Sequence, residues 1–223
     1  MLEFINQYSN LLLEGTVDTL YMSGVSAVFS YIIGLPLGLV LYGTGEGRLW
    51  ENKKFNAVLS WVINILRSFP FIILIVFLTP ATRFVVGKAI GPTAAIFPLT
   101  VGAAPFVARM VETSLSEVDK GVIEACICMG ASPFEIVTKV LIGESFPSIL
   151  RGFSITAITL IGYSAIAGVV GAGGLGDIAI RYGYNRRVES VMTVSVILIV
   201  IIVCVIQSFF DAVSKKSDKR NII

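Results

Sequence analysis

Four stretches of this chain, 19–45, 89–108, 152–176 and 190–210, contain no charged side chain. A helix needs roughly 20 apolar residues to cross the hydrocarbon core of a bilayer, and each stretch is long enough. A fifth, 55–78, is interrupted only by Arg67. The pattern predicts an all-α integral membrane fold with five transmembrane helices, over 17–44, 55–79, 89–110, 150–172 and 189–211. The whole chain, 1–223, then reads as a single transmembrane domain. The stretch 152–176 is longer than one span, so its glycine-rich end is expected at the interface.

The remaining composition narrows the chemistry. Charged residues make up 14% of the chain, against roughly 25% for a soluble domain, so much of the surface is expected to face lipid. Net charge is only +2, which gives no basic footprint for nucleic acid. The absence of histidine removes the commonest general base and the commonest zinc ligand. Cys126, Cys128 and Cys204 imply neither a disulfide framework nor a metal site. No nucleotide-binding G-x-x-x-x-G-K-[ST] loop occurs. The glycine run 168–176 lacks the lysine and reads as close helix packing with a flexible outer turn.

Orientation follows from lysine and arginine in the connections. Arg48, Lys53, Lys54, Arg109, Lys120, Lys139, Arg151, Lys215, Lys216, Lys219 and Arg220 fall on one side of a five-span chain. Only Arg83, Lys88, Arg181, Arg186 and Arg187 fall on the other. The N-terminus is therefore expected outside, and the long middle loop and the tail in the cytoplasm. No Lys or Arg precedes the first span, whose approach carries Glu3, Glu14 and Asp18. This is unlike a cleaved signal peptide, so the first span is expected to be retained.

The middle loop holds about 40 residues, too many for a tight turn. It reads as two short helices. The first runs over 119–129 and stops at Gly130, since glycine takes the left-handed terminal conformation at little cost. The second starts at Ser132, with Pro133 at the first helical position and Glu135 three residues after the cap, a capping box. Ile136, Val137, Val140 and Leu141 give it an apolar face. Such a knuckle, 119–143, is either an amphipathic hairpin lying on the membrane or a rigid dock for a cytoplasmic partner.

The residues of this knuckle carry a resemblance. Glu124-Ala125-Cys126, three residues, Gly130, nine residues, then Val140-x-Ile142 is similar to the EAA motif of ABC importer permeases. It departs at Cys126, where the third small residue is usual, and at Gly143, where proline is usual. NILRSFPFIIL (64–74), PLTVGAAPFVARMVE (98–112) and IGYSAIAGVVGAGGLG (161–176) resemble the permease subunits of methionine importers, a likeness reaching from Thr16 to the last span.

The resemblance implies a type I importer permease fold in the bacterial cytoplasmic membrane. The implied assembly is a homodimer with two cytoplasmic ABC ATPase subunits, which bind the ATP and magnesium, and a lipid-anchored extracytoplasmic binding protein. The chain itself would be a transport subunit and not an enzyme, without a cofactor or metal. The knuckle would be the coupling helix. Glu124 would supply charge to the dock, Ala125 and Cys126 would permit close approach, Gly130 would make the corner, and Ala131 and Ser132 would follow it. ATP-driven closure of the ATPases would pull the knuckles together and open the spans outward, in two-state alternating access.

Within the spans, Arg67 stands out, because intramembrane charge usually faces protein or a wet cavity. It is either a helix-locking or pathway residue or a side chain that snorkels to the surface. Thr159, Tyr163, Ser164 and Ile166 lie midway along the fourth span. They combine modest polarity with an apolar plug, as a gate for a thioether substrate would, although a packed helix face explains the same residues. Arg109 and Glu112 are spaced to pair on one helix. Two other classes compete with the importer: a permease for another small solute, and a channel or secondary transporter without an ATPase. A membrane-embedded enzyme finds no base or paired carboxylates here.

Overall fold

The structure is a computed structural model that describes residues 2–217, with side-chain surroundings from Tyr8 onward. Of the basic tail, Lys219 and Arg220 lie outside the described residues. The described chain is helical, in the order α1 (Leu2–Gly43), α2 (Lys53–Ser68), α3 (Phe71–Phe77), α4 (Thr79–Val86), α5 (Pro92–Ser116), α6 (Lys120–Cys128), α7 (Pro133–Glu135), a π-helical turn (Ile136–Leu141), α8 (Ile142–Val169), α9 (Gly174–Ile178), a second π turn (Ala179–Tyr184) and α10 (Glu189–Ser217).

α5 is the central helix, and its longest seam is with α1. The seam is lined with small residues. A Cβ added at Gly34 would lie 2.6 Å from Val107, and one at Gly38 would lie 2.6 Å from the carbonyl oxygen of Ala108. In lipid no hydrophobic force draws helices together, so close backbone approach through a small-xxx-small pair supplies dispersion contact instead. Ser26 and Ser30 extend the stripe and donate to the carbonyls of Ile96 and Thr100. α10 lies against α8, where the Phe153 and Phe210 rings meet at 5.0 Å, and its start packs through Val191 on Leu12 of α1 and Leu175 and Ile178 of α9. The rest of its apolar surface faces outward, as a lipid-facing helix requires.

The second span departs from the expected single helix. Its residues form α2 and α3, which meet at 96°. Pro70 has no N–H to donate and forces the preceding residue out of the helical region; Phe69 accordingly has ψ 125°. Among the described residues, four helices are long and apolar enough to cross alone, and the bent pair makes a fifth crossing if counted as one. α2 is amphipathic in the sense suited to lipid. Asn56, Ser60 and Asn64, spaced four apart, make hydrogen bonds to α1 or α5, while Val58, Trp61, Ile65 and Leu66 are exposed.

In the single chain Arg67 is exposed, its guanidinium 5.9 Å from the Phe106 ring. The helix-locking charge is Arg109. Its Nη1 donates to Glu112 at 2.6 Å and its Nη2 to Asn64 Oδ1 at 3.1 Å, and it also reaches the Ser60 hydroxyl.

The long fourth stretch differs too. α8 ends at Val169, and α9 folds back against it. Cβ atoms at Gly168 and Gly176 would lie 2.4 Å from backbone atoms of Asp177 and Ala165, so only glycine permits this hairpin. The turn expected to be flexible is braced by Gly91 N–H to the Gly171 carbonyl at 3.0 Å and by Leu175 N–H to Thr19 Oγ1 at 2.9 Å. The start of α1, the turn before α5 and α9 thus share one end of the bundle. The opposite end gathers Leu49 of the 44–52 loop, Ile123 and Cys126 of α6, and Ile136. Ser214, near the end of α10, donates to the Pro147 carbonyl of α8.

Candidate coupling element and solute path

The knuckle is built by local signals. Asp119 caps α6 through Gly121 N–H at 2.7 Å. At the far end, Gly130 adopts φ 83°, and Ala131 N–H reaches the Cys126 carbonyl at 3.0 Å, a left-handed helix stop. Ser132 and Glu135 form a complete capping box behind Pro133. Lys139, 3.0 Å from Glu135, and the Ser132 donors hold the Glu135 carboxyl down at about 2. This carboxyl lies outside the uncharged stretch 152–176 and stays ionised as a cap.

The second helix is not a separate short one. α7, the π turn and α8 form one unbroken helix, Pro133–Val169. Gly143 sits inside it without a break. The π turn widens the helix by one residue and buries Ile136, Val137 and Leu141 against Val111, Leu115 and Val118 of the α5 end. A corner at Ser132 and residue 159 therefore lie on one rod, about 40 Å apart at 1.5 Å per residue. A displacement of the corner is carried along one continuous helix, in which Pro147 is an interior proline.

The six motif residues divide. Glu124, Ala125, Gly130 and Ser132 are exposed, whereas Cys126 and Ala131 are half-buried and pack on the knuckle core. Close approach by a partner thus involves Ala125, and Cys126 contributes to internal packing. Two residues that the sequence reading missed dominate the tip: Met129 is 77% exposed and Phe134 74% exposed. They flank the corner on either side. Exposed large apolar side chains grouped on a rigid protrusion mark an interaction site. Their position beside Gly130 and Pro133, off the core-facing period of either helix, is the signal that could have found them.

The gate candidates also divide. Tyr163 stacks on Phe71 of α3, rings parallel within 2° and 4.4 Å apart. Ser164 is buried and donates to the Ile161 carbonyl at 2.8 Å. Both belong to packing within the chain. Ile166 and Gly162 are exposed and Thr159 half-buried, and with exposed Ile155 they form one face at spacings of four, three and four. A Cβ at Gly162 would meet nothing within 4 Å. This face is the open one on α8. Among the described residues, no three Cys, Asp or Glu side chains converge as a metal site.

A bundle with an apolar exterior, an open small-residue face on an inner helix and a rigid corner at the end of that helix defines a class: a polytopic membrane component moved by a partner protein. The comparisons name the family. Residues 34–222 match the family model for the binding-protein-dependent transport system inner membrane component, and the chain belongs to that family. It is 48% identical over 212 residues to the probable D-methionine transport system permease protein MetI of Vibrio cholerae, covering 95% of this chain and 94% of that one. It is 49% identical over 207 residues to the methionine import system permease protein MetP of Bacillus subtilis, covering 93% of each. The fold matches a chain of the MetNI methionine ABC transporter in an inward-facing conformation with a TM-score of 0.93 at 48% identity, covering 94% of this chain and 97% of that chain.

Proposed function

We propose that this chain is the permease subunit of an ATP-driven importer that carries methionine into the cytoplasm by alternating access. The observation that carries the reading is the unbroken Pro133–Val169 helix, which joins a partner-facing corner to the open face of Thr159, Gly162 and Ile166. Relatives of nearly equal length carry methionine transport in their names, which supports that substrate over another small solute.

In the working assembly two copies pair, and the open α8 faces line the path between them, with Ile166 as the apolar plug and Thr159 as its polar neighbour. Tyr163, Ser164 and Arg67 lie off that path. Two ATPase subunits, which hold ATP and magnesium, receive the knuckles through Met129, Phe134, Ala125 and Glu124. The matched ABC transporter structure supports such partners. A lipid-anchored binding protein delivers solute to the opposite end. The N-terminus lies outside and the C-terminus inside. The grouping of the 44–52 loop, the knuckle and the end of α10 at one end of the bundle supports this side assignment together with the basic-residue bias.

The test is uptake of radiolabelled methionine by cells with and without this chain, with other amino acids as competitors. Uptake that depends on the chain and is competed by methionine supports the reading. Uptake driven by an ion gradient without an ATPase would refute it.

A further inference from the structure

At the end of the bundle that carries the knuckle, the 44–52 loop and α6 enclose a cleft of about 450 Å³. Two cations line it, Arg48 and Lys120, and among the described residues neither has a carboxylate partner. Glutamates lie close to Arg48 in the chain, yet they are engaged elsewhere. Glu46 accepts from Lys53 at 2.6 Å, and Glu51 accepts from the Gly47 N–H at 2.9 Å. Arg48 is held on Tyr42 instead. Its Nη1 donates to the Tyr42 hydroxyl at 2.7 Å, and its guanidinium lies 4.2 Å from the ring centre. A guanidinium over an aromatic face is attracted by the ring quadrupole, so this charge is fixed at the cleft wall. Glu124 is the single carboxylate among the lining residues, which leaves the cleft net positive.

Tyr42 adds a second, independent demand. It lines the cleft and is only 4% exposed. Its oxygen accepts from Arg48, but its own proton reaches no acceptor among the described residues, and a buried donor left unpaired is costly. Lys120 opens α6, where the helix dipole opposes a cation. An anion in the cleft would answer all three donors. Leu49, Ile123 and Ile127 make the facing wall apolar, so the anion should carry an apolar body. The cleft also lies at the edge of the lipid. Trp50, beside Leu49, is exposed, as are Phe55 and Val58 at the start of α2, and exposed tryptophan marks the headgroup level. Finally, α6 has no buried side chain, so it is the loosely held half of the knuckle.

We propose that this cleft binds the headgroup phosphate of an anionic phospholipid and that the bound lipid ties α6 to the 44–52 loop. Arg48, Lys120 and the Tyr42 hydroxyl donate to the phosphate, and the apolar wall covers the glycerol end of the chains. The proposal rests on the cytoplasmic placement of this end given under the proposed function, since anionic lipid acts at that leaflet and basic pockets between helices there hold lipid headgroups. Free phosphate offers the same oxygens but leaves the apolar wall uncovered. A braced α6 passes a push to the corner, whereas a loose one yields and ATP is hydrolysed without transport.

The test measures phosphatidylglycerol retained by the purified permease in native mass spectrometry, with phosphatidylcholine as the reference lipid. R48Q/K120Q is expected to weaken phosphatidylglycerol retention about thirtyfold, with phosphatidylcholine retention unchanged. Lys120→Gln alone separates binding from folding. It removes a cation that the helix dipole opposes, so α6 is not weakened, and retention should still fall about fivefold. In proteoliposomes of the full importer, ATP hydrolysed per methionine carried should rise when phosphatidylcholine replaces phosphatidylglycerol, and the double variant should show the higher ratio in both lipids. Equal retention by wild type and both variants overturns the proposal. So does displacement of the lipid by inorganic phosphate, which would make this a free-anion site, or by the ATPase, which would make the cleft part of its dock. Retention is read without transport, so a permease that holds the lipid but moves no methionine refutes the importer reading alone.

Discussion

Gly130 offers a perturbation in which a single physical variable changes. It turns the chain from α6 into the long helix with φ 83°, and a Cβ added there would meet nothing within 4 Å. Substitution therefore brings no clash and removes no contact. Only the backbone conformation is penalised. An alanine in the left-handed region costs roughly 1–2 kcal/mol, offset by about 0.4–1 kcal/mol because the unfolded chain loses freedom. The net is about 0–1.6 kcal/mol against the corner, a loss of up to about fifteen-fold in the population that holds it. Asparagine visits this region more readily than other side chains and should fall between glycine and alanine. Valine, branched at Cβ, should be worst. The assay is methionine uptake per ATP hydrolysed in membranes with equal amounts of inserted protein. The expected order is Gly, Asn, Ala, Val, with insertion unchanged. Alanine coupling as well as wild type, or better than asparagine, would refute the idea that a left-handed corner sets the knuckle.

Three further outcomes test other parts of the structure. Glu124→Lys should uncouple ATPase from uptake without affecting insertion, since Glu124 is exposed and makes no core contact; normal uptake by this variant would count heavily against the docking role. Phe134→Ser should weaken recovery of the ATPase with the purified permease while the melting temperature of the permease alone changes by less than about 2 °C, because the ring is 74% exposed and exposed sites contribute little to stability. Gly176→Ala should push α9 from α8, placing Cβ 2.4 Å from Ala165 Cα; overpacking of this kind costs about 1–3 kcal/mol, visible as a lower melting temperature in detergent, and an unchanged value would mean that the hairpin is looser than drawn.

Much of the candidate site was legible because it is made of short-range signals. The cap at Ser132, the proline behind it and the stop at Gly130 act within one helical turn, and all three appear at the stated residues. The gate set was legible only in part. Composition marks 159–166 as small and mildly polar, yet which side of the helix packs inward depends on where α3 and α5 lie. Tyr163 and Ser164 went to the packed side and Thr159 and Ile166 to the open one. The same holds for Arg67 and Arg109. One charge interrupts an apolar segment and the other adjoins one, and only the approach of α2 to α5 gave Arg109 its partners at Ser60 and Asn64.

The sequence by itself determined that the chain lives in lipid, how many apolar segments it has and where its knuckle turns. These depend on residues close together in the chain and on a solvent that penalises every exposed polar group in the same way. Tertiary structure alone decided that Pro70 breaks a span by 96°, that the glycine run folds back as a hairpin on α8, and that the knuckle's second helix continues to Val169 as one rod. Those outcomes turn on whether distant surfaces fit. A proline or glycine permits a bend or a close contact, but the shape of the neighbouring helix decides whether it is used.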